Sequence, residues 1–519
     1  MYAHFISFMQ VYDSIVIGAG VNGLTLALYL QRAGLKTLVV EAESEVGGLA
    51  RTEEPFQNGF KHNPHANYLC YYDVMPMVKD FDLQSFGLKT IQPEAQHGIC
   101  FADGRPPIVL HRNDMLEKSI SSLSQYSERD AKTYAILKRG LNKFDQLVHD
   151  GMYKTANPDW FARQRSALSS ICTEAGINNV GSGTALSLID TLFETDEIRT
   201  LMYQLAEEFG VQLDEVGGDL SFVGVPLWLA GQWRLPVGGM QSFSDALAAA
   251  AKSMGVDFLL DAKVSRLIIE RSRVKGLFVP GHGKIRTKGI VASTAGLATT
   301  LLELLDTKHL TDETRTRTKK FAKQRYDSLG SVTYCLHDAP EYKSARWDSS
   351  INQCFHTMIG FDNAEETLAY LRDTRHGLLT SPRAAARVNT LWDPSQAPPQ
   401  KHVASADVFL PHSSAFTAER WDEINNTFTN KFLKTWRTVA PNMTEANVIA
   451  SSFNNPGDYE RQMLFQLGHE QYRTGVRGLY VCGVSTYPGG GAHGACGYNA
   501  SQVISDDLDL TKRRVSPLG

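Results

Sequence analysis

Cysteine is sparse: seven in 519 residues, at positions 70, 100, 172, 335, 354, 482 and 496, with no C-x-x-C pair. An odd, scattered set argues against a disulfide framework, a zinc site and the dithiol of a disulfide reductase, and it suits a reducing compartment. Net charge is also scarce. The 52 basic and 56 acidic side chains leave −4, too little to gather a polyanion, so nucleic acid is not expected as a partner. Internal repeats and low-complexity tracts are missing. The mildly apolar first residues have neither a basic stretch nor a small-residue cleavage site, so no secretory signal is expected. A cytoplasmic location follows as an expectation, with peripheral membrane contact left open.

What is present is ordinary globular composition, 43% hydrophobic and 21% charged, in a chain too long for one core. Two domains are expected. Ser14 to Gln31 is 18 residues without a charge, which meets the length test for a membrane span. Glycines 18, 20 and 23 redirect that reading to a buried strand at 14–17, a helix from about Asn22 to before Gly34, and a second strand at 37–41. A polar, mostly helical stretch follows over 113–208, with Leu137, Leu141 and Phe144 at heptad-like spacing. The Leu235-Pro-Val-Gly-Gly run leads into a helix through 246–254, then hairpin strands around 263–270 and 274–279. Strands are predicted at 331–336 and 402–410 and a helix at 419–439. The last seventy residues return to strand, glycine-rich loop and helix.

The sharpest local signal is Gly18-Ala19-Gly20-Val-Asn22-Gly23, placed between strand and helix, with Glu41 ending the next strand. Gly18 permits the tight turn, Gly20 lets a pyrophosphate approach the backbone, and Gly23 lets the helix pack against the strand. The helix N-terminus offers N–H groups and a positive dipole end to phosphate. Glu41 can accept both ribose hydroxyls, and no cation follows it to hold a 2′-phosphate. NAD and FAD share this arrangement. A second dinucleotide fingerprint is missing, since Gly181-Ser-Gly183 lacks the third glycine.

Beyond Glu41 the chain reads Gly47-Gly48-Leu-Ala-Arg51-Thr52, a flexible pair and a guanidinium able to fork onto pyrophosphate. This E-x5-G-G-x-x-R-T spacing resembles the FAD-binding amine oxidase and phytoene desaturase superfamily. Gly478-Leu-Tyr-Val-Cys-Gly483 and the loop from Ser485 to Asn499 resemble the segment that closes over the flavin ring in phytoene desaturase-like proteins. Arg234 to Met240 resembles the family's P-x-G-G segment, Val264 the valine at the adenine end, and Trp392 to His402 a turn of bacterial and mitochondrial relatives. Tyr487 and Cys496 stand where family members commonly carry histidine and proline, and the S-G-G-C of a covalent flavin thioether is missing.

The resemblance implies FAD, with Gly18, Ala19, Gly20, Asn22, Gly23, Glu41, Gly48, Arg51, Val264, Gly483, Gly494 and Asn499 as its binding residues. It implies an α/β fold in which a Rossmann-type, glutathione-reductase-like FAD domain (1–105, 236–330 and 451–519) interleaves with a mixed α+β substrate domain (106–235 and 331–450) carrying a helical cap. The implied function is desaturation or dehydrogenation of a small or apolar organic substrate by hydride transfer to flavin N5. Electrons would pass on to oxygen, a quinone or another organic acceptor. The alternatives are a flavin amine oxidase, a non-redox isomerase or saturase of a polyene, and a non-catalytic flavin-fold binding protein. His62, His65, Tyr487 and His493 are the candidates for orienting substrate or accepting a proton. No metal site is expected. Leu220 to Trp233, 14 residues without a charge, is read as a substrate wall, as core, or as a membrane-dipping segment.

Overall fold

The computed structural model describes residues 11–55, 58–321, 328–458 and 472–510. Tyr12–Ile17, Val21–Arg32 and Thr37–Val40 form the β-α-β unit expected at the start. Both strands are interior to their sheet, and Val21 through Leu30 of the helix are all buried. Helices Gln241–Ser253 and Ala495–Asp507 pack on it from the sides its strands leave open. This burial on every side is the physical reason the window carries no charge.

The sheet runs Asp257–Leu259, Thr37–Val40, Tyr12–Ile17, Gly283–Ser293, with Leu479–Val481 added beside the last. These five pair in parallel. The long strand Gly283–Ser293 serves two ladders. Its first half closes an antiparallel meander with Arg273–Val279 and Arg266–Glu270, and its second half joins the parallel core. The expected strand at 263 begins only at Arg266, because residues 261–262 pair instead with the backbone of Glu41 and Glu43.

The second sheet has seven strands in the order Val448–Asn454, Ser328–Leu336, His402–Leu410, Ala384–Arg387, His356–Ile359, Ala95–Ile99, Ile108–His111. It takes Ala95–Ile99 from ahead of the boundary expected at 105, so the crossover between domains falls about ten residues earlier. One face packs on the amphipathic helix Ala418–Val439, whose Trp421, Phe428, Phe432 and Trp436 meet Val332, Tyr334, Ala404 and Val408. The other face is polar. Thr333 pairs with Ser452 on one side and Ser405 on the other, Ser405 pairs with Arg387, and His356 pairs with His97. Directly paired residues share a face, so these six make one row across the sheet.

The helical cap runs from Leu116–Ser124 to Gly218–Phe222. Local signals set its ends: Ser127 accepts the N–H of Asp130, Asn157 precedes Pro158, and Thr184 forms a capping box with Ser187. Leu137, Leu141 and Phe144 are buried as their spacing predicts. Leu220 to Trp233 is buried except at Ser221 and the half-buried Val225, with Trp228 and Trp233 enclosed, and no helix among the described residues is long and apolar enough to cross a membrane. Its backbone passes through a π-turn at Val223–Leu227 containing Pro226. The carbonyls at the end of this segment are met by Lys138, a buried ammonium that donates to Leu227, Trp228 and Ala230 oxygens at 3.0, 3.4 and 2.6 Å.

Candidate functional site

Three loops from the carboxyl ends of the parallel strands converge. Gly18 has φ +97°, and a Cβ there would lie 2.2 Å from Thr294 Oγ1; one on Gly23 would lie 2.0 Å from the Gly18 carbonyl oxygen. Both glycines are demanded by packing. Gly20 is different. Its φ is an ordinary −71° and its nearest neighbour to an added Cβ is Gly48 Cα at 3.8 Å. Nothing in the protein needs that space, which is what a backbone built for the close approach of a pyrophosphate should show. The helix behind it has no side-chain cap and no acid in its first turn, leaving its N–H groups to an anion.

Gly47 donates its N–H to the Ala19 oxygen at 2.9 Å, and Gly48, at φ +58°, lies against Gly20. Glu41 accepts the N–H groups of Ala19 and Glu43, at 2.6 and 3.0 Å, so its carboxylate is fixed at the edge of the cradle. Arg51 reaches Glu53 with one nitrogen at 3.2 Å, while its buried Nε has no hydrogen-bond partner among the described residues. Val264 packs with Ile17 and Val40 at the Glu41 end. These residues fit a dinucleotide: glycine backbone and guanidinium for the pyrophosphate, Glu41 for a ribose, Val264 for a flat base.

The C-terminal loop is tied to this cradle. Gly483 has φ +101° and lies against Thr294, Gly494 has φ +65° and caps the last helix, and the Asn22 amide oxygen accepts the Gly497 N–H at 3.2 Å. Asn499 donates to the Met152 oxygen at 2.8 Å, so it joins this helix to the cap. Arg234 to Met240 arrives as the resemblance implies. Thr52 Oγ1 donates to Asn63 and accepts the Gln241 N–H, and Asn63 accepts the Met240 N–H. A Cβ on Gly239 would lie 2.3 Å from Thr52 Oγ1, which explains a glycine there.

Against the loop 487–493 lies a cavity of about 530 Å³. Its walls are Tyr71, Val148, Met152, Trp160, Phe161, Leu168, Leu220, Val225 and Trp228 from the cap side, with Tyr487, Pro488 and His493 opposite. Leu220 to Trp228 is thus both core and cavity wall. Among the described lining residues only Arg165 carries a formal charge.

The four acid–base candidates separate. Tyr487 faces the cavity and donates to the Gly151 oxygen at 3.2 Å, and burial pushes its hydroxyl up to about 12. His493 also borders it, but its Nε2 donates to the Gly490 oxygen and its Nδ1 accepts the Ala495 N–H, at 2.9 and 3.0 Å. Both nitrogens are spent on shaping the loop, and burial lowers the ring to about 4. His62 turns away from the cavity towards Cys335, 3.6 Å from its sulfur, and is likewise lowered to about 4 by burial. His65 is half-buried in the same segment. Cys482 and Cys496 are buried and free, as small packing residues should be.

Residues with no sequence signal complete the interior. His97 Nε2 lies 3.6 Å from Glu208, whose other oxygen is 2.5 Å from His356 Nδ1. Arg387 Nη1 lies 3.1 Å from His356 Nε2 and its Nη2 2.7 Å from Asp407. His97, Glu208 and His356 lie close enough together to hold a metal ion, a grouping the sequence does not announce. Residues as far apart in the chain as His97 and Asp407 meet only through sheet pairing and the docking of the cap helix Asp196–Glu208, so no spacing rule reveals them.

The family described as flavin containing amine oxidoreductase matches residues 22–504. One of the subunits of the limonene dehydrogenase of Castellaniella defragrans is 27% identical over 96% of this chain and 95% of its own. The pyridine nucleotide-disulfide oxidoreductase domain-containing protein 2 of Rattus norvegicus is 26% identical over 96% and 94%. A lycopene-forming phytoene desaturase of a Paracoccus species is 23% identical over 95% and 97%. Among solved structures, an oxidoreductase from Methanosarcina mazei superposes with a TM-score of 0.61 at 16% identity, covering 95% of this chain and 99% of that one. Putrescine oxidase superposes at 0.58 and 15% identity, covering 97% and 99%. With the glycine cradle, the fixed Glu41 and the match along nearly the whole chain, this protein belongs to the flavin containing amine oxidoreductase family and is an FAD-dependent oxidoreductase.

Proposed function

We propose that the enzyme dehydrogenates or desaturates a small, apolar organic molecule. The cavity carries this reading: about 530 Å³, walled by aromatic and aliphatic side chains, with Arg165 as the sole charge among its described lining residues. The described lining residues include no carboxylate to pair an ammonium substrate, and their one charge is a cation. A compact hydrocarbon loses no hydrogen bond on entering and gains about 25 cal/mol per Å² of surface removed from water. The name of the Castellaniella relative points the same way.

When bound, FAD would supply the oxidising equivalent for removal of a hydride from a substrate C–H bond. The protein's part is placement. The cradle holds the pyrophosphate, Tyr487 and His493 shape the loop against the cavity, and the cap excludes water while the bond is aligned. Val264, Gly483, Gly494 and Asn499 act with the cradle in this reading, Asn499 by clamping the last helix to the cap.

Anaerobic mixing with limonene and, separately, with putrescine tests it. Bleaching of the flavin band by limonene and not by putrescine is expected. Bleaching by the amine alone would overturn the proposal in favour of an amine oxidase.

A further inference from the structure

The cavity is not apolar throughout. Helix Pro158–Glu174 forms one side of it, and the lining residues Phe161, Arg165 and Leu168 recur at the spacing of one turn. Phe161 reaches the loop that is tied to the glycine cradle, its ring 6.2 Å from that of Tyr487. Arg165 follows one turn later, about 6 Å further along the helix axis. Its guanidinium lies at a corner made by Gly181 and Leu220: a Cβ on Gly181 would stand 3.7 Å from Arg165 Nη1 and 3.2 Å from Leu220 Cδ1. Gln164 and Ser221, the chain neighbours of Arg165 and Leu220, also line the cavity.

Arg165 is exposed, and among the described residues it has no hydrogen-bond or ion-pair partner. The acid beside this corner is already engaged. Asp219 Oδ2 accepts the N–H groups of Gly181 and Gly183 at 2.7 and 3.0 Å, and its Oδ1 accepts that of Leu220 at 2.8 Å. The guanidinium is thus left as an uncompensated cation at one end of a space whose other walls are aromatic and aliphatic. Its planar fork of donors matches the two oxygens of a carboxylate. A phosphate dianion calls for a second cation, and the described lining has none.

Resting on the dehydrogenase reading above, we propose that the substrate is an apolar skeleton carrying one carboxylate, which Arg165 binds while the far end of the skeleton lies against the Tyr487 loop. Arg165 is then a specificity-determining residue that touches the substrate away from the reacting atoms. The separation of Arg165 from Phe161, about one helical turn, sets where the chemistry falls. The bond that is oxidised belongs to the remote part of the skeleton, not to the carbon next to the carboxylate. The apolar body drives entry by leaving water, and the charged end fixes which way round it sits.

The test uses the flavin-loaded enzyme without oxygen and three ligands on one skeleton: limonene, the acid in which a carboxylate replaces its ring methyl group, and the methyl ester of that acid. Binding is read from quenching of tryptophan emission, because Trp160 and Trp228 wall the cavity, and reduction is read separately from the flavin band. Wild type should bind the carboxylate at least ~10-fold more tightly than the ester, and added salt should narrow the gap. Arg165→Gln should abolish the preference with ester binding and the oxidised flavin spectrum unchanged, and Arg165→Lys should keep part of it. Arg163→Gln, on the same helix but outside the cavity lining, should behave as wild type. A carboxylate bound no better than the ester by wild type, or a preference that survives Arg165→Gln or falls equally in Arg163→Gln, would overturn the proposal. Bleaching by limonene without any carboxylate preference leaves the dehydrogenase reading standing and removes the carboxylate site. A preference that depends on Arg165, with no bleaching by any of the three, keeps the site and sinks the dehydrogenase reading.

Discussion

The α-carbon of Gly497 lies so close to the backbone of Asn22 that a Cβ there would come within 2.1 Å of the Asn22 oxygen, while the Gly497 N–H donates to the Asn22 side chain. The two fingerprints, 475 residues apart, are thereby locked into one cofactor domain. Replacing Gly497 with alanine must part the two helices. We expect a loss of about 1–3 kcal/mol in denaturant unfolding, together with reduced flavin content after purification.

Gly20 and Gly23 should fail differently. Gly20→Ala meets nothing nearer than 3.8 Å in the protein, so its apoprotein should unfold within a degree or two of wild type while flavin retention is lost. Gly23→Ala drives a Cβ to 2.0 Å from a backbone oxygen and should lower both. Melting curves of the apoproteins, paired with absorbance of the holoproteins, separate the two cases. Equal destabilisation would contradict the assignment of Gly20 to the ligand.

Lys138 holds the wall of the cavity through the carbonyls beside Trp228, whose indole donates to Asp145 at 2.8 Å. Lys138→Met keeps the volume and removes the donor to the Leu227 and Ala230 oxygens, while Gln232 still donates to that of Trp228. The cost should be about 2–4 kcal/mol, with a shifted tryptophan emission and weaker substrate binding at unchanged flavin content.

Acid should weaken the fold over a defined window. His62, His97 and His493 are each lowered to about 4 by burial, from an unfolded value near 6.5. Between these limits the unfolded chain binds more protons, so stability rises with pH from about 4 to 6.5 and is lost as pH falls through that range. Glu208, raised to about 7, acts in the opposite sense between its unfolded value and neutrality, as does Asp145, but burial also lowers His111, His356 and His402, so the histidines outnumber the raised carboxylates. Urea midpoints should therefore fall from pH 6.5 towards 4, and His493→Asn should flatten the slope. A midpoint that rises on acidification would refute this.

Filling the cavity should block substrate without touching the cofactor. Leu220→Trp adds an indole to a wall that faces Trp160 and Trp228 across the same space. Reductive bleaching should slow at least ~10-fold while the oxidised flavin spectrum stays that of wild type.

The parts readable in the chain are those governed by neighbours in sequence. Gly18, Gly20 and Gly23 act within one turn, Glu41 follows the next strand, and the helix at 419–439 announces itself by its apolar stripe; all stand at the expected places. The histidines show the limit. His62, His65 and His493 have the right chemistry in the right loops, yet His493 spends both nitrogens on backbone and His62 turns to Cys335. Which way a ring points depends on packing that no local pattern carries. Glu208, His97, His356 and Arg387 have no signal, because the pairing of strands and the docking of a cap helix bring them together.

By itself the sequence determined the cofactor class and its cradle, because a pyrophosphate is bound by backbone in a tight turn and glycine spacing encodes that turn directly. It also determined that about half the chain would be left for something else. Only the tertiary structure decided what that half builds: an apolar cavity walled by the cap, and a polar sheet face ending in a buried carboxylate between two imidazoles. Those properties arise from side chains that face one another across separate elements, and burial, not residue type, decides whether each is a wall, a strut or a base.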